Sequence, residues 1–224
     1  MTQADETLGL PHPSHQPADR AKLAEQLIEA GQHLHGRQWM PAHTGNLSAR
    51  LGPNRFLISA NGANKASLRQ DELVTIDADG QRVERNNTQP SSETPLHLAL
   101  YQFYPKVGAV IHTHSVAATI LSRMATETLV LEGYEIVRAL DGIDSHQGRI
   151  SLPIFSNYQD YRHLAIWFRR YVVRFPENSG LLIMGHGLYT WGATIADAIR
   201  QTEALEFMME CELRMAQIAP PAED

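Results

Sequence analysis

The sequence predicts an α/β fold in a single domain, and three observations carry that prediction. Short apolar runs suited to buried strands alternate with stretches of three-to-four apolar spacing suited to helices. The 224 residues suffice for one substantial core. No internal repeat, low-complexity linker or charge block divides the chain.

Composition narrows the function classes. A hydrophobic content of 43% with 20% charged residues is ordinary for a globular protein. The formal charge of −6 argues against nucleic acid or an anionic membrane as main partner. No apolar run approaches membrane-spanning length, and the N-terminus lacks a basic-then-apolar signal pattern, so a cytoplasmic location is expected. The single cysteine, Cys211, leaves no intrachain disulfide and no cysteine-built zinc site. A metal has to be sought among the 11 histidines and the carboxylates.

Residues 1–17 hold prolines without periodicity and read as a flexible arm. A helix is expected from about Ala18, with Leu23, Leu27, Ala30 and Leu34 on one side and Gly36 near its end. Alternating Leu47, Ala49 and Leu51 and the run Arg55–Ser59 read as strands joined by a Gly-Pro-Asn turn. Leu73–Ile76 is a further strand, and Asp77–Gly80 a polar turn. Thr94 before Pro95 predicts a helix start, which places Ser91, Ser92 and Glu93 where amides and dipole favour an anion. His97, among Leu96, Leu98 and Leu100, reads as structural.

A strand over 108–114 follows, then a helix from Ser115 carrying Val116, Ile120 and Met124. Residues 129–140 mix a short strand with a helix bearing Glu132 and Glu135, and Arg149–Pro153 is strand-like. Asn157 is expected to cap a helix with Tyr161, Leu164, Trp167, Phe168 and Tyr171 inward, broken by Asn178-Ser179-Gly180. Leu181–Met184 and Leu188–Trp191 pair around the Gly185-His186-Gly187 turn. A capping pattern at Thr194–Asp197 opens the last helix, with Ile195, Ile199, Leu205, Met209 and Leu213 inward. Phe207, Met208 and Met215 suggest a second apolar face, and residues 220–224 a frayed tail.

The chemistry sits in four motifs. On a strand His112 and His114 point to the same face, so both imidazoles reach one ion from a rigid element. His186, after another apolar run, offers a third. Three neutral imidazoles with an open coordination position describe a catalytic divalent site. Gly45 and Gly62 allow close backbone approach, while Asn46, Ser48, Ser59 and Asn61 supply donors suited to a phosphate monoester.

Taken in order, Gly45-Asn46-x-Ser48, Ser91-Ser92-Glu93, His112-x-His114 and Gly185-His186-Gly187 resemble the class II aldolase/adducin superfamily, from about residue 20 to 217. The resemblance implies one α/β/α domain, residues 18–219, on a largely antiparallel sheet. It also implies a homotetramer with sites near subunit interfaces. One zinc ion per chain on His112, His114 and His186 is implied, with phosphate contacts from Gly45–Asn46, Ser59–Gly62 and Ser91–Ser92.

The longer stretches Leu131–Glu135, Leu152–Asp160 and Gly187–Gly192 are most similar to the family's dehydratases. They imply removal of water from a 5-methylthio 2-ketopentose 1-phosphate in methionine salvage, with Glu135 as acid-base residue. In the aldolases the Glu93 position takes that role. Two alternatives stay open: a sugar-phosphate aldolase or epimerase run by Glu93, and a metal-free adducin-like binding module.

Overall fold

The computed structural model describes residues 18–84, 87–173 and 179–218. The arm over 1–17, the tail at 220–224 and Asn178 lie outside them. In chain order the described elements are α1 (Arg20–Gly36), β1 (Asn46–Gly52), β2 (Arg55–Ser59), β3 (Leu73–Asp77), α2 (Thr94–Phe103), β4 (Ala109–Thr113) and α3 (Val116–Met124). They continue with β5 (Thr128–Glu132), β6 (Arg149–Phe155), α4 (Tyr161–Val172), β7 (Gly180–Ile183), β8 (Gly187–Gly192) and α5 (Ile195–Ile218). The strands form one sheet in the order β3-β2-β1-β4-β8-β7-β6-β5. Every neighbouring pair is antiparallel except β6 with β7, because α4 makes a crossover between those two.

Register decides what each face of the sheet carries. Asn46 pairs with His112, Ser48 with Val110, and His112 with Tyr189, so these side chains share one face. α2 and α4 cover it: the Ser48 hydroxyl meets His97 and Tyr101 of α2, and the Trp191 ring lies 6.5 Å from Phe168 of α4. Thr113 and Thr190 point the other way, where α5 receives them through Glu206 at 2.6 Å and Thr202 at 2.5 Å. α1 and α3 flank α5 on that side, which completes three layers.

Several expectations shift in detail, each for a local reason. α1 starts at Arg20, capped by the Asp19 side chain, which accepts from the Ala21 amide at 2.9 Å. α3 turns Ala117, Ala118 and Leu121 inward and leaves Val116, Ile120 and Met124 on its outer face, because small residues let it lie close on α5. Asp160 rather than Asn157 caps α4, since the Asn157 side chain is engaged with His186. Trp167 faces outward beneath the Arg170 guanidinium, 5.4 Å from its ring centroid. On α5 Met208 is buried, and the outer apolar stripe is Phe207, Met215 and Ile218. Glu132 ends β5, and Glu135 opens a short 3-10 turn, Glu135–Ala139, rather than a helix. Among the described residues no helix is long and apolar enough to cross a membrane.

Candidate metal centre

One strand end and one turn bring the imidazoles together. His112 is the penultimate residue of β4, His114 follows just beyond the strand, and His186 sits in the tight turn between β7 and β8. Both glycines of that turn have a steric reason. Gly185 adopts φ +64, a region L side chains avoid. A Cβ on Gly187 would lie 1.9 Å from the Thr113 carbonyl oxygen, so only glycine lets β8 run against β4 beside the histidines. Gly187→Ala is therefore expected to cost about 3 kcal/mol by overpacking, lowering the thermal midpoint by roughly 6–12 °C. A melting curve superimposable on the parent's would refute this account of the turn.

The ring centroids of His112 and His114 are 4.5 Å apart, and that of His186 lies 4.9 and 4.5 Å from them. Hydrogen bonding fixes the tautomers. Nδ1 of His112 donates to the Leu188 carbonyl at 2.9 Å, and Nδ1 of His186 donates to Asn157 Oδ1 at 3.2 Å. Each Nε2 is then a bare lone pair, yet the two stand 3.2 Å apart. Among the described residues the buried Nε2 of His114 has no hydrogen-bond partner either. A cation between the three rings would relieve the repulsion of the facing lone pairs on His112 and His186 and give the His114 nitrogen a partner. Burial pushes His112 down to about 4, and burial with the neighbouring His112 and His186 pushes His114 down to about 2. Both are neutral at pH 7, as metal ligands must be.

Glu93 completes the group: one ligand atom from each of Glu93, His112, His114 and His186 lies within 4.8 Å of the others. Its carboxylate is 3.2 Å from His112 Nε2 and 3.5 Å from His186 Nε2. Tyr189 donates to Oε2, and Tyr161 donates to Oε1 at 3.3 Å. Burial alone pushes the Glu93 carboxyl up. Against it work the neighbouring His112 and His186 rings and the hydrogen bond from Tyr189, which hold the group well below the usual carboxylate range. With His112 neutral at pH 7, the tyrosine donors are what hold the charge. Burial raises both tyrosines, so each keeps its proton for donation. Tyr189 also stacks on His112, the centroids 4.0 Å apart.

Two of the polar segments link to Glu93, through Ser59 and Ser91. Gly45 has φ +72, and a Cβ there would lie 2.7 Å from the His112 carbonyl oxygen, so the Gly45–Asn46 turn lies tight against β4. The Ser59 hydroxyl accepts from the Leu47 amide at 3.2 Å, and the Ser59 carbonyl accepts from the Ser91 amide at 3.2 Å. Ser91 Oγ in turn accepts from the Glu93 amide at 3.2 Å. Asn61, Gly62 and Ser92 are exposed. Ser48 is buried against His97 and Tyr101, away from any open surface. Glu135 is not brought to this cluster within the protomer: its side chain is 71% exposed and pairs with Arg138 at 2.8 Å.

Sequence reasoning missed the tyrosines, Asn157, and the full place of Lys65. The Lys65 ammonium is buried and donates to the carbonyls of His43 and Ala63 at 3.0 and 2.7 Å. Burial pushes it down to about 8. It braces a loop in which Gln38, Ala42 and His43 all have positive φ, directly before Gly45. The period-two register of β8 opposite β4 was the available signal for Tyr189; nothing local marks Asn157.

The family model for the class II aldolase and adducin N-terminal domain matches residues 25–213. A methylthioribulose-1-phosphate dehydratase of Marinobacter nauticus is 45% identical over 88% of this chain and 96% of its own length. One of the same name from Pseudomonas savastanoi pv. phaseolicola is 46% identical over 89% and 98%. Among solved structures, YgbL of Klebsiella pneumoniae shares the fold with a TM-score of 0.77 at 20% identity, covering 91% of this chain and 94% of its own. The three-layer fold, the imidazole cluster on β4 and the β7–β8 turn, and the match along nearly the whole chain agree: this protein belongs to the class II aldolase and adducin family.

Proposed function

We propose that this chain dehydrates 5-methylthioribulose 1-phosphate to 5-methylthio-2,3-dioxopentyl phosphate, a step of methionine salvage. The observation that carries the reading is the convergence of three imidazoles on Glu93, in a chain 45% identical to a protein named for that reaction. His112, His114 and His186 hold one zinc ion per chain, which when bound draws electron density from the substrate carbonyl. A non-catalytic module has no use for three converging imidazoles beside a buried carboxylate.

The C3 proton is acidic because C2 is a carbonyl. Its removal, with departure of the C4 hydroxyl as water, leaves an enol that becomes the 2,3-diketone. Asn46, Ser59, Asn61, Ser91 and Ser92, with the turns at Gly45 and Gly62, receive the phosphate; Ser48 supports Asn46 from behind. Glu135 moves the proton. It does so at the site of a neighbouring subunit in a cytoplasmic homotetramer whose catalytic domain is residues 18–219. Its turn is tied to α5 by Tyr134 donating to Glu212 at 2.8 Å, and α5 carries the outward Phe207 and Met215, an apolar stripe suited to a subunit contact.

The position of Glu93 inside the cluster favours a second reading, in which that carboxylate drives an aldolase cleavage of C3–C4. Mass spectrometry after incubation with methylthioribulose 1-phosphate separates the two. A product lighter by one water is expected; two smaller fragments would replace the dehydratase with the aldolase.

A further inference from the structure

A chain of buried hydrogen bonds runs behind the phosphate turn. Ser48 Oγ lies 2.8 Å from the Tyr101 hydroxyl and 2.7 Å from His97 Nδ1, and His97 Nε2 meets Asn46 Oδ1. His97, Ser48, Tyr101 and Asn46 are all buried. Burial pushes His97 down to about 4, so its ring is neutral, with one N–H and one lone pair. Burial raises Tyr101, which keeps its proton.

The direction of the chain follows from counting protons. Among the described residues, Ser48 Oγ is the acceptor left for the tyrosine proton. Tyr101 therefore donates to Ser48, and Ser48 donates to His97 Nδ1. That makes Nε2 the protonated nitrogen, and it donates to Asn46 Oδ1. The reverse direction strands the tyrosine proton in an apolar interior, which is costly. With its oxygen occupied, Asn46 has only its N–H2 edge left, and that nitrogen makes no hydrogen bond among the described residues.

We infer that His97 is a positioning residue that locks the Asn46 amide with its donor edge outward, presenting a pure donor to the substrate phosphate. The phosphate end of this inference rests on the proposed function; the locked tautomer does not.

The test has two parts on the full, metal-loaded protein. Ring-nitrogen resonances of histidine labelled with 15N, assigned by difference with His97→Gln, should show His97 with Nε2 protonated and Nδ1 bare. The opposite tautomer, or a doubly protonated ring at pH 7, would overturn the inference. His97→Leu, which removes the donor, should weaken binding of inorganic phosphate and raise KM for the phosphorylated substrate, each about tenfold. Metal content should hold, and kcat should change less than KM. Gln, whose amide nitrogen reaches the place of Nε2, should recover most of the loss. Phosphate binding by His97→Leu equal to the parent's, or a loss shared equally by His97→Gln, would also overturn it. If His97→Leu does not fold, the tautomer and the Gln variant decide. A parent with the expected tautomer but no turnover of methylthioribulose 1-phosphate would remove the functional reading alone.

Discussion

His114→Ala should leave the purified protein with less than about a tenth of the parent's metal after dialysis, and with no measurable turnover. Loss of a group that merely orients a ligand costs 10–100-fold in metal affinity, and removing a ligand outright costs more. Undiminished zinc in this variant would refute the ligand set. The same change has an opposite effect once the parent is stripped. In chelator the parent keeps a buried His114 Nε2 with no hydrogen-bond partner among the described residues. Such a group costs about 1–3 kcal/mol. The stripped alanine variant should therefore melt no lower than the stripped parent, although the loaded parent melts well above both. A ring that served only as core would give the reverse, a variant weaker than the parent in chelator, through the cavity it leaves.

The parts of this site legible in the sequence are those that follow from period and spacing. His112 and His114 are two apart on a strand, and that alone places their rings on one face, centroids 4.5 Å apart. The turn bearing His186 is marked by its glycines, whose necessity appears only when Gly187 is seen against the Thr113 carbonyl. The sheet's one parallel pair follows from a helix lying between β6 and β7. What escaped depends on side-chain direction. His97 sits among leucines, and that composition hides a ring whose two nitrogens both meet polar partners. Val116, Ile120 and Met124 form as regular a stripe as any buried face. Which stripe of α3 turns inward is settled by the close approach of α5, which lies 93 residues along from Thr113 at the Glu206 contact. The residues 1–17 read as an arm and 220–224 read as a tail stay expectations of composition alone.

Glu135→Gln is expected to lower kcat by about 10²–10⁴-fold, the usual contribution of a positioned acid-base group. Metal content should stay intact, because among the described residues of its own protomer Glu135 pairs with Arg138 alone and touches no imidazole. Glu93→Gln should behave differently. An amide at that position still fills the space between Tyr161 and Tyr189 but carries no charge beside the three imidazoles, so metal affinity falls along with rate. If Glu135→Gln turns over at the parent's rate while Glu93→Gln loses turnover with its metal retained, the acid-base role passes to Glu93.

The assignment of Glu135 to a neighbour's site has its own consequence. Coexpressing Glu135→Gln chains with His114→Ala chains should give mixed oligomers more active than either variant by itself. In those oligomers a His114→Ala subunit lends its intact Glu135 to the loaded site of a Glu135→Gln partner. Chains acting alone cannot rescue one another, so mixed oligomers with no recovered turnover would return Glu135 to its own protomer. The outward-facing carboxylate at 71% exposure beside the apolar stripe of α5 is the arrangement that leads us to expect recovery.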